Sequence, residues 1–160
     1  MSEQVSDENY MNEAFHEAFH GSRNNHGGPF GAVIVKNGVI IGKGFNRVIS
    51  GKDPTAHAEI VAIRDACRNI NSFDLSGSVL FTTCEPCPMC FSAVYWANIK
   101  EVIFSLSRHD AETMGFKDNH IYEELSRDMD DRSIRFTKMD HSSIKTLMKE
   151  WDLKPDKFLY

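Results

Sequence analysis

Two short motifs in this 160-residue chain carry side chains that can bind a metal and transfer protons. The first runs from His57 to Glu59 with the sequence His-Ala-Glu, and the second runs from Pro86 to Cys90 with the sequence Pro-Cys-Pro-Met-Cys. An imidazole and two thiolates form a donor set that suits tetrahedral zinc. Because three protein ligands leave the fourth coordination position open, the motifs predict a catalytic zinc site rather than a structural one.

A carboxylate accompanies these donors. Glu59 stands two residues after His57, and both belong to the first turn of a predicted helix, so both side chains can reach a site above the helix end. A carboxylate in that place can take a proton from water and later deliver it to a substrate nitrogen. A structural zinc site would need no such acid, so Glu59 is the predicted catalytic residue.

The spacing of the thiols leaves alternatives open. Cys84 and Cys87 also form a Cys-x-x-Cys pair, so spacing alone does not decide which two thiols bind the metal. A redox pair would leave His57 and Glu59 without a role. A structural, non-catalytic zinc module would require a fourth ligand, for which the chain offers no obvious second pair.

The composition argues against a nucleic-acid-binding protein and against a membrane-spanning one. The formal net charge is −5, which disfavours nucleic acid as a partner because phosphate binding usually requires an excess of basic residues. The longest apolar runs are far too short to span a bilayer. The first nine residues are polar and acidic and lack the features of a signal peptide, so a cytoplasmic location is expected.

The motifs require a scaffold, and hydrophobic periodicity predicts its elements. An apolar stripe at helical spacing, from Met11 to Phe19, predicts a first helix with Ser6 as N-cap and Gly21 as its end. The pair Asn37-Gly38 predicts a hairpin turn because both residues tolerate positive φ. The predicted strands are Phe30–Lys36, Val39 to about Asn46, Ser78–Thr83, Glu101–Ser105 and Ile134–Met139. The further predicted helices are Asp53 to about Asn71, Pro88–Ala97, Asn119–Arg127 and Ser142–Trp151.

The order of these elements indicates the fold class. Strand, helix and strand with short connections around Pro88–Ala97 predict a parallel, right-handed crossover. The sequence therefore predicts an α/β protein with three α/β/α layers and a mixed sheet of about five strands. We expect one domain over residues 1–160, in which residues 152–160 form an extended tail.

A family resemblance adds to these predictions. His-x-Glu followed by Pro-Cys-x-x-Cys is the signature of zinc deaminases. The chain resembles the cytidine deaminase superfamily, in which its closest likeness is to bacterial guanine deaminases. The stretches that carry the resemblance are Gly28–Val35, Asp53–Glu59, Cys84–Cys90, Tyr95–Ala97, Gly115–Asp118 and Tyr160. The fold that the resemblance implies is cytidine deaminase-like, and the implied zinc ligands are His57, Cys87 and Cys90.

The resemblance also implies substrate-binding residues. Asn46 is similar to the asparagine that hydrogen-bonds the base in these enzymes, and Asp118 is similar to the acidic residue that accepts hydrogen bonds from guanine N–H groups. Phe30 and Trp96 would form apolar walls for a planar base, although core packing is an alternative role for each. In similar enzymes the C-terminal tail crosses to the other subunit of a homodimer, where the residue equivalent to Tyr160 helps close the site.

The expected activity is zinc-dependent hydrolysis of a free purine base, with guanine converted to xanthine and ammonia. The resemblance does not separate guanine from guanosine or from amino-triazines. Cytosine deamination and tRNA adenosine deamination are further alternatives. A tail that folds back onto its own subunit is the alternative to the swapped arrangement.

Overall fold

The computed structural model describes residues 6–159 of the chain. Residue contacts divide the chain into two compact units, of which the first ends at Tyr122 and the second begins at Glu123. The expectation of a single domain over residues 1–160 stays a prediction. None of the helices between residues 6 and 159 has the length and apolar character that a membrane span requires.

The first unit alternates helices and strands. In chain order its elements are α1 (Asp7–Arg23), β1 (Gly31–Lys36), β2 (Val39–Phe45), α2 (Val48–Gly51), α3 (Ala58–Asn69), β3 (Ser78–Cys84), α4 (Pro88–Trp96), β4 (Glu101–Leu106) and α5 (Arg108–Thr113). The helix α6 (Asp118–Ser126) begins in this unit, and a 3₁₀ turn (Met129–Asp131) and α7 (Ser142–Leu153) follow in the second.

The sheet of the described residues has the order β2-β1-β3-β4. β1 pairs antiparallel with both β2 and β3, whereas β3 and β4 are parallel, as the crossover through α4 predicts. The turn between β1 and β2 is confirmed, because Asn37 and Gly38 both have positive φ, 51° and 76°. Such turns match the right-handed twist of the flanking strands.

Helices cover both faces of this mixed sheet, so the predicted three-layer α/β/α class is confirmed. On one face, Ala32 and Ile34 of β1 pack in a core that includes α3 and α4. On the other face, Val33 and Val35 pack with Tyr10 and other residues of α1. The alternating side chains of β1 are thus buried on both sides of the sheet, which explains the continuous apolar sequence of this strand.

Two glycines of β2 set the position of α3. A Cβ atom at Gly44 would lie 2.4 Å from the carbonyl oxygen of Ala58, and one at Gly42 would lie 2.5 Å from that of Ala62. Because any larger residue would collide with the helix backbone, α3 lies directly on the sheet. This close packing also fixes the N-terminus of α3, where the His57 motif is found.

Several sequence predictions differ from the structure. The sheet of the described residues has four strands rather than about five, and residues 134–139 form no strand. Ile134 and Met139 are 70% and 83% exposed, so the alternating pattern there lacks the packing partners that stabilise a strand. The first helix continues past Gly21 to Arg23, because Gly21 packs against the Phe45 ring inside the helix rather than ending it. The short helices α2 and α5 were not predicted. The helix predicted from Asp53 begins at Ala58, and α7 extends to Leu153, two residues into the predicted tail.

Candidate active site

The predicted metal ligands lie at the starts of two helices. His57 is the N-cap residue of α3, and Cys87 is the N-cap residue of α4. Both have extended backbone conformations, and Pro88 occupies the first turn of α4, where it needs no hydrogen-bonded N–H. The positive ends of two helix dipoles therefore meet at one place, and they favour the thiolate form of the cysteines.

Three donor side chains converge there. One ligand atom each from His57, Cys87 and Cys90 lies within 4.8 Å of the other two. The Cys87 Sγ atom is 3.5 Å from His57 Nδ1. Zinc at about 2.3 Å from sulfur and about 2.0 Å from nitrogen places tetrahedral ligand atoms at about this separation. The donor set and its spacing therefore fit a zinc ion.

The pKa values of the two cysteines shift in opposite directions. Hydrogen bonding from Cys90, assisted by His57, lowers the pKa of Cys87 to about 4. The same hydrogen bond, together with burial, raises the pKa of Cys90. The hydrogen bond with Cys87 also raises the pKa of His57. A bound cation would replace these protons, since thiolate and neutral imidazole are the forms that ligate metals.

Glu59 lies beside this cluster. It belongs to the first turn of α3 and is 6% exposed. Its Oε2 atom accepts a hydrogen bond from the Cys90 thiol at 3.5 Å. Burial raises the pKa of the Glu59 carboxyl to about 7, which suits a group that takes up and releases a proton near neutral pH.

Cys84 has a different environment from the other two thiols of its motif. It ends β3 and is absent from the donor cluster found among the described residues. Its thiol donates to the carbonyl oxygen of Ser107 at 3.7 Å. Burial raises the pKa of Cys84 to about 11, so it remains a neutral thiol. This geometry favours Cys87 and Cys90 as the ligating pair, which spacing had left open.

A cavity of about 280 Å³ opens onto the donor cluster. Its walls bring together Phe30, Asn46, His57, Glu59, Cys87 and Asp118 from five separate stretches of the chain. The remaining lining residues are Gly27, Gly28, Val48, Ile49, Pro54, Cys84, Glu85 and Phe116. Most of the side chains that the sequence analysis selected therefore share one small chamber.

Asn46 presents an amide to this cavity. It follows β2 directly and is 5% exposed. Its Oδ1 atom accepts the Val48 N–H at 3.2 Å, which orients the amide NH₂ group as the donor for a ligand. Gly27 makes this placement possible, because a Cβ atom there would lie 2.1 Å from Asn46 Oδ1.

Two phenylalanines form an apolar wall. The Phe30 and Phe116 rings meet edge to face, with centroids 4.7 Å apart. A Cβ atom at Gly28 would lie 2.8 Å from the Phe116 ring, so this glycine makes room for the pair. The sequence analysis did not select Phe116 as a site residue, although its place two residues before Asp118 was a usable signal.

Asp118 is the first residue of α6 and lines the cavity. Burial raises the pKa of its carboxyl, and the neighbouring Cys87 adds to this effect. A carboxylate in this position can accept hydrogen bonds from ring N–H groups of a ligand.

Two predicted substrate-binding residues are not among those that line the cavity. Trp96 ends α4, is 66% exposed and is not among the residues that line the chamber. Tyr160 lies outside the described residues. Its role therefore stays a prediction.

The sequence matches a protein family whose members bind zinc, in agreement with the geometry of the donor cluster. Residues 4–106 match the cytidine and deoxycytidylate deaminase zinc-binding region. The chain belongs to the cytidine and deoxycytidylate deaminase family. It is thus a zinc-dependent hydrolytic deaminase, and the proposed zinc ligands lie within the part of this deaminase that matches the family.

Similarity to individual proteins indicates which type of deaminase this protein resembles. It is 45% identical to guanine deaminase of Bacillus subtilis over 132 residues, which cover 82% of this chain and 85% of that protein. The structure of guanine deaminase from B. subtilis superimposes with a TM-score of 0.93 at 40% identity, covering 98% of this chain and 99% of the other.

A second group of relatives is similar over a shorter region. The deaminase is 53% identical to a tRNA-specific adenosine deaminase of Aquifex aeolicus over 77 residues, which cover 48% of this chain and 51% of that protein. The chain thus spans about half the length of that relative.

Proposed function

We propose that this protein is a guanine deaminase, which hydrolyses guanine to xanthine and ammonia. The observation that carries the proposal is the cavity, in which a carboxylate, an amide and an aromatic wall face the metal-ligating cluster. Similarity to guanine deaminase over nearly the whole chain supports the same substrate. A volume of about 280 Å³ is small for a ligand site and can accommodate a single base.

The residues of the site have two separate roles in the reaction, metal binding and proton transfer. His57, Cys87 and Cys90 would hold zinc, which when bound lowers the pKa of water and so makes hydroxide available at neutral pH. Glu59 takes a proton from the attacking water as its oxygen bonds to C2 of guanine, the carbon that carries the amino group. The electron pair of the C2=N3 bond moves to N3 in this step. Glu59 then delivers the proton to the amino nitrogen, the bond between C2 and the amino nitrogen breaks as the C2=N3 bond re-forms, and ammonia leaves. The proton that remains on the new hydroxyl moves to N3, which gives the C2 carbonyl of xanthine.

The remaining side chains orient the base. Asp118 accepts hydrogen bonds from N–H groups of guanine, and the Asn46 amide donates to an acceptor on the base. Phe30 and Phe116 provide the apolar wall for the planar ring. Burial of these polar groups favours a ligand that pairs with all of them, because each unpaired group would cost free energy.

An ammonia-release assay tests the substrate. The panel contains guanine, guanosine, cytosine, adenine and the amino-triazine ammeline. We expect the highest kcat/KM for guanine. A higher value for guanosine, ammeline or cytosine would overturn the assignment, and deamination of adenosine in tRNA would instead favour the editing alternative.

Asp118→Asn will weaken recognition of guanine. The amide that replaces the carboxylate offers one acceptor oxygen and an NH₂ group that opposes the ring N–H donors. We expect kcat/KM for guanine to fall by about tenfold to a hundredfold, the scale of a lost charged hydrogen bond. Steady-state kinetics checks this. The control is Asp110→Asn, the same substitution at a residue that belongs to the α5 capping box and is not among the residues that line the cavity. Unchanged kinetics in Asp118→Asn would refute this role.

We further propose that the active form is a homodimer in the cytoplasm, where the ligating thiols stay reduced. Residues 152–160 are proposed to reach the partner's cavity, where Tyr160 would help close the site. The described part of this tail supports the idea, because Phe158 and Leu159 are 67% and 75% exposed. Large apolar side chains at a chain end favour burial against another surface.

Removal of Phe158–Tyr160 will leave a folded, zinc-loaded protein with sharply reduced kcat. Mixing this truncated protein with full-length Glu59→Gln separates the two arrangements. If the tail acts on the partner, mixed dimers regain activity, because one intact centre receives one intact tail. If it acts on its own subunit, mixing restores nothing. Full activity of the truncated protein alone would exclude the tail from the site.

A further inference from the structure

The residue that is proposed to recognise guanine is carried at the very start of a helix. Asp118 is the first residue of α6 and Tyr122 follows one turn later. Residues four apart lie on the same face of a helix, so Asp118 and Tyr122 are neighbours along α6. Whatever holds Tyr122 in place therefore also constrains the carboxylate at the cavity.

Tyr122 is held by a backbone group of the metal-binding loop. Its hydroxyl donates to the carbonyl oxygen of Pro86 at 3.0 Å, and Pro86 directly precedes the proposed ligand Cys87. This hydrogen bond joins α6 to the end of the sheet from which α4 starts. It thus connects the helix that carries Asp118 to the loop that carries the metal ligands.

A second group supports the Tyr122 ring. The Arg108 guanidinium lies over that ring, 4.8 Å from its centroid. The backbone N–H of Arg108 donates to Glu85 Oε2 at 2.9 Å, so Arg108 is itself attached next to Pro86. The ring is therefore held between the Arg108 cation and the Pro86 carbonyl oxygen, both of which lie next to Glu85.

The other side of Asp118 is anchored separately. Phe116, two residues earlier, packs against Phe30 in the space that Gly28 leaves open. Asp118 thus lies between an apolar anchor at Phe116 and a polar anchor at Tyr122. The polar anchor connects the helix that carries Asp118 to the metal-binding loop through the Pro86 carbonyl oxygen.

We propose that Tyr122 is a positioning residue for substrate recognition: its hydrogen bond to Pro86 sets the distance between the Asp118 carboxylate and the reaction centre. This inference rests on the proposed function, in which Asp118 accepts hydrogen bonds from guanine. Pre-organisation of this kind increases the affinity for the base, because binding then need not order α6. Tyr122 itself is not among the residues that line the cavity.

Tyr122→Phe tests the inference, because it removes only the hydroxyl. We expect KM for guanine to rise by about threefold to tenfold, the scale of one neutral hydrogen bond, while kcat stays within about twofold. Zinc content should equal that of the parent enzyme. The matched control is Tyr10→Phe, which also removes a hydroxyl that donates to a backbone carbonyl, that of Gly38 at 2.8 Å, far along the chain from these residues. The control should lose similar thermal stability without a change in KM.

A double-mutant cycle with Asp118→Asn identifies the route of the effect. If Tyr122 acts through Asp118, the double variant has the KM of Asp118→Asn alone. Independent, multiplicative losses would overturn the inference, as would an unchanged KM in Tyr122→Phe or a loss of zinc in that variant. If Asp118→Asn itself behaves like the parent enzyme, the recognition role proposed for Asp118 fails first, and the inference falls with it.

Discussion

Glu59→Gln will yield a folded, zinc-loaded enzyme whose kcat is lower by at least about 100-fold, the usual scale of general acid–base catalysis. Glutamine has nearly the same shape as glutamate, so packing around this buried position is retained. Its amide cannot take up the proton of the attacking water or return it to the amino nitrogen. The loss should therefore appear in kcat more than in KM.

Three measurements define this result. Steady-state ammonia release gives kcat, elemental analysis gives the zinc content, and circular dichroism reports the fold. Glu13→Gln is the matched control, because Glu13 is a partly exposed residue of α1 whose ion pair with Lys43 lies on the surface. The control should retain parental kinetics. Turnover near the parental rate in Glu59→Gln would exclude Glu59 as the proton carrier.

Cys87→Ser will lose both zinc and activity, whereas Cys84→Ser will retain both. Cys87 is the N-cap of α4 and lies 3.5 Å from His57, and its low pKa makes it the thiolate of the cluster. A serine hydroxyl is a poor zinc ligand in this place, because it stays protonated at neutral pH. Cys84 instead donates to a backbone carbonyl, and serine can make the same hydrogen bond.

Elemental analysis of the two purified variants decides between the alternative Cys-x-x-Cys pairs. The parent protein serves as the control and is measured before and after dialysis against a chelator. This dialysis should remove zinc and abolish turnover. Equal zinc in Cys84→Ser and Cys87→Ser would contradict the assignment of the ligands. Zinc lost only from Cys84→Ser would transfer the ligand role to Cys84.

Local features of the fold could be predicted because their causes lie within a few residues. Positive φ at Asn37 and Gly38 produces the first hairpin whatever surrounds it. Pro88 and the apolar spacing after it place the start of α4 correctly. The prediction of a strand at residues 134–139 was wrong because its cause would lie outside the segment. An alternating pattern becomes a strand only where a neighbouring strand supplies hydrogen bonds and packing.

The chemistry of the site followed from residue types, but the choice of the ligating thiols did not. An imidazole, thiols and a carboxylate in two short motifs were enough to predict zinc and a proton carrier, because metal binding depends on donor identity and local spacing. Which thiols ligate depended on whether a cysteine ends a strand, as Cys84 does, or starts a helix, as Cys87 does.

The tertiary structure alone decided part of the cavity wall. Phe116 reaches Phe30 across 86 residues of sequence only because Gly28 leaves space for its ring. Trp96 is a large aromatic residue that could form such a wall, yet it is 66% exposed at the end of α4 and is not among the residues that line the chamber. The sequence by itself determined the catalytic groups, since these depend on near neighbours in the chain. Only the packing of α3 on β2 and the attachment of α6 to Pro86 decided which surfaces face those groups, because contacts between distant segments exist only once the chain has folded.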